Sequence, residues 1–215
     1  PLFRSIVLNI SNFYSSGEGL NNMVLKRFFD MVVSLTFICT LFPFFYVVLG
    51  AAIKLTSTGP ILFRQQRSGL GNKPFTCLKF RTMVVNDEAD ILQATDNDKR
   101  ITSIGHFLRR TSLDELPQFI NILKGDMSII GPRPHMLYHT EIYSSCIPGY
   151  MRRLSVKPGI TGLAQILGYR GETPMPTDMA RRIRLDLWYI EHQSFSLDLY
   201  IFIHTLINFL GIRLL

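Results

Sequence analysis

The chain has 215 residues, with 23 Lys and Arg against 16 Asp and Glu for a net charge of +7, yet 47% of its residues are hydrophobic and its mean hydropathy is +0.19. High charge with low hydrophobicity would mark disorder, so charge without low hydrophobicity leaves a folded core as the expectation. The length excludes a barrel of eight strand–helix units at ~250 residues. A basic, apolar chain suits a membrane surface or an anionic lipid as readily as nucleic acid.

Residues 1–22 contain the turn-rich run Ser15-Ser16-Gly17-Glu18-Gly19, which reads as a linker, and carry no secretory pattern. The chain begins at Pro1, and a longer parent protein is the expectation. Residues 31–53 are 23 consecutive uncharged positions, long enough to cross a bilayer as a helix. Pro43 sits near the middle, where it removes a backbone donor. Both flanks are basic, with Lys26 and Arg27 before and Lys54, Arg64 and Arg67 after. Basic flanks prefer the cytoplasmic side. A helix–break–helix hairpin bent at Pro43, entering and leaving by one face, satisfies both constraints; a kinked span and a buried core helix are the alternatives.

Thr56-Ser57-Thr58-Gly59-Pro60 stops the helix. Two β-favouring runs, 61–65 and 75–83, flank a Gly-rich turn and predict a hairpin. Helices are expected over 86–94, 104–110, 112–123, 136–145, 148–154 and 176–193. Residues 125–134 read as an irregular loop, and 158–165 as a turn with a short strand. The C-terminal stretch 196–215 is apolar but carries Asp198, His204, Asn208 and Arg213, so it reads as an interfacial helix or one packed under the hairpin. The sum is α+β, mostly helical with a small β-hairpin. The alternating strand–helix series and G-x-G-x-x-G of a Rossmann site are missing. Cys39, Cys77 and Cys146 form no Cys-x-x-Cys and fit a reducing compartment.

Four clusters could carry chemistry. In Arg109-Arg110-Thr111-Ser112-Leu113-Asp114-Glu115, the Ser112/Glu115 spacing is that of a capping box, with both acids in the first helical turn. The functional reading divides labour between adjacent carboxylates, one a nucleophile and the other a ligand for a divalent cation. In Gly131-Pro132-Arg133-Pro134, two prolines stiffen the backbone that aims Arg133, whose guanidinium matches phosphate oxygens. Lys79 and Arg81 alternate with Phe80 onto one strand face, suited to phosphate or to solvent. Asp186 lies on the late helix behind Arg181, Arg182 and Arg184. His135 and His139 are four apart but have no further metal-ligand partner. Nucleic-acid binding has only the net charge behind it and is not expected.

Together these clusters resemble the monotopic phosphoglycosyl transferases, bacterial sugar transferases that start surface glycan assembly. The likeness runs from Lys26-Arg27-Phe28-Phe29-Asp30 through Lys79-Phe80-Arg81-Thr82-Met83, SLDELPQ at 112–118, NILKGDMS at 121–128, GPRP at 131–134 and PGITGLAQ at 158–165 to Asp186, Tyr189, Ser194 and Asp198. It implies transfer of a sugar-1-phosphate from a UDP-sugar to a polyprenol phosphate such as undecaprenyl phosphate, with release of UMP. It also implies Mg²⁺ and a covalent phosphosugar intermediate on Asp114. Glu115 matches the Mg²⁺ partner. Lys79, Arg109, Arg133 and Asp186 match active-site positions, with Arg81 beside them. Pro43 matches the membrane break, although many members have Ser where this chain has Phe42. The stretch 168–173 resembles the large, glucose- or galactose-transferring branch, so UDP-glucose is the expected donor. The implied division is a linker (1–22), a re-entrant membrane element (23–55), a catalytic domain on the cytoplasmic face of the inner membrane (56–195) and an interface helix (196–215). Membrane lipids are expected partners, and homo-oligomerisation is left open. The rivals are a non-catalytic membrane-surface scaffold of a glycan assembly complex and an Mg²⁺-dependent hydrolase of lipid diphosphates.

Overall fold

Helix α1 (Gly19–Thr40) and helix α2 (Phe42–Thr56) are separated only by Leu41 and bent by 57°. The computed structural model describes residues 19–85, 95, 98–171 and 176–209. The linker expected over most of 1–22, the helix expected over 86–94, residues 172–175 and the last residues of the chain lie outside these. No single described helix is long and apolar enough to cross a membrane, whereas the bent pair is so when taken together. The bend falls at Leu41, two residues before the proline expected to mark it. Pro43 instead occupies the first turn of α2, where its missing N–H has no intrahelical partner to lose. Phe42 packs toward Phe80, Phe37 and Tyr46 with ring centroids 5.8–6.3 Å apart, so the ring is used for packing at the bend.

Phe28, Met31 and Leu35 on α1, and Phe44, Val47 and Leu55 on α2, are exposed. So much uncovered apolar surface on two joined helices is consistent with monotopic membrane anchoring. The opposite side of α1 is fixed inward by polar groups. Asp30 accepts from Ser128 Oγ (3.1 Å) and the Ile129 amide (2.8 Å), and Arg27 donates to the Ile122 (2.7 Å) and Leu123 (3.0 Å) carbonyls. Lys26 reaches the Ile130 carbonyl (2.8 Å) and Asp198 Oδ2 (2.7 Å). The basic residues before the apolar run are thus spent on the globular part, capping a helix C-terminus and closing a buried ion pair, rather than turned to headgroups.

After α2, strands β1 (Leu62–Ser68) and β2 (Pro74–Phe80) form the expected antiparallel hairpin, with Phe63 opposite Lys79. Helix α3 (Ser103–Thr111) follows, N-capped by Thr102 accepting from the Gly105 amide at 3.1 Å. It lies so close to the end of β2 that a Cβ on Gly105 would stand 1.9 Å from the Thr82 carbonyl oxygen. The single helix expected over 112–123 is instead a 3₁₀ turn, Leu113–Glu115, and a separate α4 (Gln118–Lys124) starting after Pro117. Proline suits the entry of a helix and not its interior.

The irregular loop expected at 125–134 contains a strand, β3 (Ser128–Ile130), which pairs in parallel with β4 (Gly159–Thr161). The two glycine- and proline-rich motifs therefore meet. Gly131 N–H donates to the Thr161 carbonyl and Gly159 N–H to the Pro132 carbonyl, each at 2.9 Å, and a Cβ on Gly159 would be 2.2 Å from the Gly131 nitrogen. Helix α5 (Leu137–Cys146), a 3₁₀ segment (Tyr150–Ser155), the short α6 (Leu163–Ile166), α7 (Pro176–Glu191) and α8 (Phe195–Phe209) complete the described elements. Helix α8 packs Leu197 and Ile201 into the main core and leaves Leu199, Ile203, Leu206 and Phe209 exposed. The fold is mostly helical with a small antiparallel hairpin, as the α+β reading expected.

Candidate active site

A cleft of about 1230 Å³ runs between the hairpin, α3, the segment after β3 and α7, and reaches Tyr46 on α2. Nine of its lining residues are Lys or Arg and two are carboxylates, Asp114 and Glu115. Such a surplus of fixed positive charge focuses a field that favours polyanionic ligands.

The two carboxylates are delivered by Ser112, which ends α3 in the left-handed conformation (φ 61°) and turns the chain into the 3₁₀ segment. The expected capping box is not formed. Ser112 makes no side-chain cap, its Oγ instead accepts from Arg170 Nη1, and Glu115 turns outward to the cleft cations. Glu115 Oε1 accepts from Lys79 Nζ at 2.9 Å and Arg133 Nη2 at 2.6 Å, and Oε2 from Arg170 Nη2 at 2.8 Å. Burial alone would raise its pKa, but Arg133, Lys79 and Arg170 overcome that and hold the carboxyl well below its usual range.

Asp114 is the opposite case. It is 7% exposed, and its carboxylate has no hydrogen-bond partner among the described residues; its nearest cation is Lys79 Nζ, 3.7 Å away. Burial raises its pKa, Lys79 draws it down, and the neighbouring Glu115 pushes it up, with a net rise. The pKa values of two adjacent carboxyls are thus pushed apart, one gripped by three cations and one with only the longer Lys79 ion pair, the pattern that separates a supporting group from a reacting one.

Lys79 arrives from the end of β2 and Arg133 from the Pro-flanked segment after β3. Arg109, with Arg110 beside it, lines the cleft from the last turn of α3, exposed to solvent. Arg81 also lines the cleft, but its guanidinium is committed to the Ser57 carbonyl (2.9 Å) and to that of Thr58, where it caps the exit from α2. Asp186 does not line the cleft. It accepts from Arg153 Nε (3.1 Å) and Nη2 (2.9 Å), and Arg153 Nη2 also donates to the Arg133 carbonyl at 2.6 Å. The structure therefore brings Asp114, Glu115, Lys79, Arg109 and Arg133 to one cleft and sets Asp186 behind it.

Sequence reasoning missed Arg153 and Arg170. Arg170 stands in the stretch read as marking a branch, and no spacing rule links it to Glu115, 55 residues earlier. Arg153 looks like its neighbour Arg152, which pairs with Glu191 at the surface, whereas Arg153 is 2% exposed.

Among the described residues there is no group of three or more His, Cys, Asp and Glu able to hold a metal. Magnesium ordinarily uses one or two carboxylates and completes its shell with water and substrate phosphates. Asp114 and Glu115 supply such a pair, so the donor set fits that ion.

A profile of the family described as Bacterial sugar transferase matches residues 21–211. The chain belongs to that family. It is 52% identical over 185 residues, 86% of its length, to a UDP-glucose:undecaprenyl-phosphate glucose-1-phosphate transferase of Klebsiella pneumoniae. Proteins of the same description from Escherichia coli K12 and Xanthomonas campestris are 50% and 47% identical over 83% and 94% of this chain. The chain spans about 40% of the length of these relatives, covering 40%, 38% and 42% of them. The match begins within α1 and ends just beyond α8, so the bent apolar pair and the basic cleft both lie inside the region that defines the family.

Proposed function

We propose that this chain transfers a sugar-1-phosphate, with glucose as the sugar, from a UDP-sugar to undecaprenyl phosphate in surface polysaccharide synthesis. The observation that carries the reading is the buried Asp114 carboxylate, free of hydrogen bonds among the described residues, beside a Glu115 gripped by Lys79, Arg133 and Arg170 in a basic cleft that extends to α2. The relatives' activity supports the donor and acceptor.

An Asp114 carboxylate oxygen attacks the phosphorus that bears the sugar. An acyl-phosphate bond forms between the Asp114 oxygen and this phosphorus, the bond from the phosphorus to the oxygen bridging the second phosphate breaks, and UMP leaves with that oxygen and its electron pair. A polyprenol phosphate oxygen then attacks the same phosphorus, and Asp114 leaves as carboxylate. Lys79 favours the ionised nucleophile against its burial, and Arg133 and Arg170 bind phosphoryl oxygens as charge builds on them. Glu115 would hold the magnesium ion, which supplies charge neutralisation at the diphosphate. The covalent step lets a soluble and a lipid substrate use the site in turn.

In this reading residues 23–55 form a re-entrant element with both ends on the cytoplasmic face of the inner membrane, residues 56–195 the catalytic domain and 196–215 an interface helix. The test is intact mass of the detergent-solubilised protein with UDP-glucose and Mg²⁺. A glucose-phosphate adduct, absent from Asp114→Asn, is expected. An unmodified mass across a panel of UDP-sugars, together with full turnover by Asp114→Asn, rules the reading out.

A further inference from the structure

Two buried side chains lining the cleft carry nitrogens that no acceptor among the described residues meets. His135 is 4% exposed and Arg182 is 5% exposed, both line the cleft, and His135 Nε2 and Arg182 Nε have no hydrogen-bond partner among the described residues. Buried polar atoms left unpaired are uncommon in native proteins and call for an explanation.

The direction of the hydrogen bonds behind His135 defines which group it presents. Ser68 Oγ donates to Thr140 Oγ1 at 2.9 Å. Tyr150 Oη lies 3.4 Å from Thr140 Oγ1 and 2.6 Å from His135 Nδ1, and a Thr140 hydrogen directed at Tyr150 Oη sends the Tyr150 hydrogen on to Nδ1. With Nδ1 accepting, a neutral ring carries its proton on Nε2, which becomes a buried donor. The ring is held neutral by burial and by Arg153, Arg182 and Arg67 around it.

Arg182 adds positive charge near enough to act on the His135 ring. Its Nη2 donates to the Gly171 carbonyl at 2.6 Å, and it has no carboxylate within ion-pair distance among the described residues. Asp186, one helical turn further along α7, is taken by Arg153. A guanidinium with no close ion pair among the described residues, in a cleft that also holds an N–H donor, selects an acceptor-only anion over a hydroxyl that must also donate.

We propose that His135 Nε2–H and Arg182 form a second phosphoryl subsite, apart from the Lys79–Glu115–Arg133 centre, that binds a phosphate of one substrate during transfer. Two sources offer this chemistry, the nucleotide's own phosphate and the lipid phosphate. The inference rests on the proposed phosphoglycosyl transfer for the identity of those ligands. Binding needs no turnover, so its outcome is independent of whether Asp114 forms an adduct.

The experiment titrates UMP, uridine, UDP-glucose and, in micelles, a short-chain polyprenyl phosphate into the unaltered protein and into His135→Phe, His135→Gln and Arg182→Gln. Losing a donor to a charged acceptor weakens binding about tenfold or more. His135→Phe and Arg182→Gln are expected to lose that much for one phosphate ligand, with uridine unaffected and His135→Gln, which keeps an N–H, recovering part of it. A loss confined to UMP and UDP-glucose assigns the subsite to the nucleotide, and one confined to the polyprenyl phosphate assigns it to the lipid. Unchanged affinity for both phosphates overturns the proposal, as does a loss shown by UDP-glucose alone, which would make the donors sugar ligands. Should His135→Phe fail to fold, the Arg182→Gln titrations decide between the same outcomes.

Discussion

Arg153 holds the backbone of Arg133: its Nη2 donates to the Arg133 carbonyl oxygen at 2.6 Å while Asp186 grips the same guanidinium at 2.9 Å. Both partners of that ion pair are almost wholly buried, at 1% and 4% side-chain exposure. The buried pair is thus a bracket behind the cleft that sets where the Arg133 side chain starts from, and it links Asp186 to Arg133 through Arg153.

Removing one side of the bracket leaves the other charge buried and uncompensated. Asp186→Asn is expected to lose about 3–5 kcal/mol of stability and, through a displaced Arg133, roughly 100-fold in kcat/KM. Chemical denaturation and steady-state kinetics check this. If Asp186 touched substrate directly, turnover would fall with little loss of stability.

The apolar run, the hairpin and the basic, acidic and Pro-flanked clusters were legible in the sequence because each is local: a run, an alternation or a spacing. Long-range pairings were not legible. Arg170 meets Glu115 across 55 positions and Lys26 meets Asp198 across 172, and no periodicity encodes either. The Ser112/Glu115 spacing misled because the tertiary pull of three cations on Glu115 outweighs a surface cap of about 1 kcal/mol. The strand inside 125–134 was hidden because Gly131 and Pro132 read as irregular, whereas Gly131 serves close approach to β4.

Glu115→Gln tests the cation cluster. A folded pKa well below 4.5 means the unfolded chain binds the proton more tightly, so the stabilisation is present above the unfolded value and lost as pH falls through the folded one. At neutral pH the substitution leaves Lys79 and Arg133 without their shared anion and should cost about 3 kcal/mol. Thermal melts against pH should show the unaltered protein losing its advantage over Glu115→Gln below pH 4.5.

The exposed and buried faces of α2 should separate membrane binding from folding. Val47 is 69% exposed and Ile53 is 1% exposed. Val47→Glu is expected to keep the melting temperature in detergent while weakening binding to vesicles containing anionic lipid, because it charges a surface outside the core. Ile53→Ala should cost about 2–5 kcal/mol by opening a cavity against Leu49, Phe80 and Leu108. Vesicle flotation and denaturation distinguish the two, and equal destabilisation by both would place Val47 in protein contact rather than at lipid.

Asp114 should be a residue whose loss stabilises. Its folded pKa is raised above 3.8, by burial first, with Glu115 adding to the rise and Lys79 opposing it. The folded state therefore holds the proton more tightly than the unfolded chain. That contribution is present at low pH and lost as pH rises through the folded pKa, leaving the ionised carboxylate as a cost at neutral pH. Asp114→Asn removes the charge at nearly constant shape, so it should melt a few degrees higher at neutral pH while forming no phosphosugar adduct. The same rise sets the acid limb of activity: the nucleophile must be ionised, so turnover should fall at a pH above that of an ordinary aspartate. Calorimetry of the two proteins and a pH–rate profile read both effects, and a lower melting temperature for Asp114→Asn would mean that Lys79 stabilises the carboxylate more than burial and Glu115 oppose it.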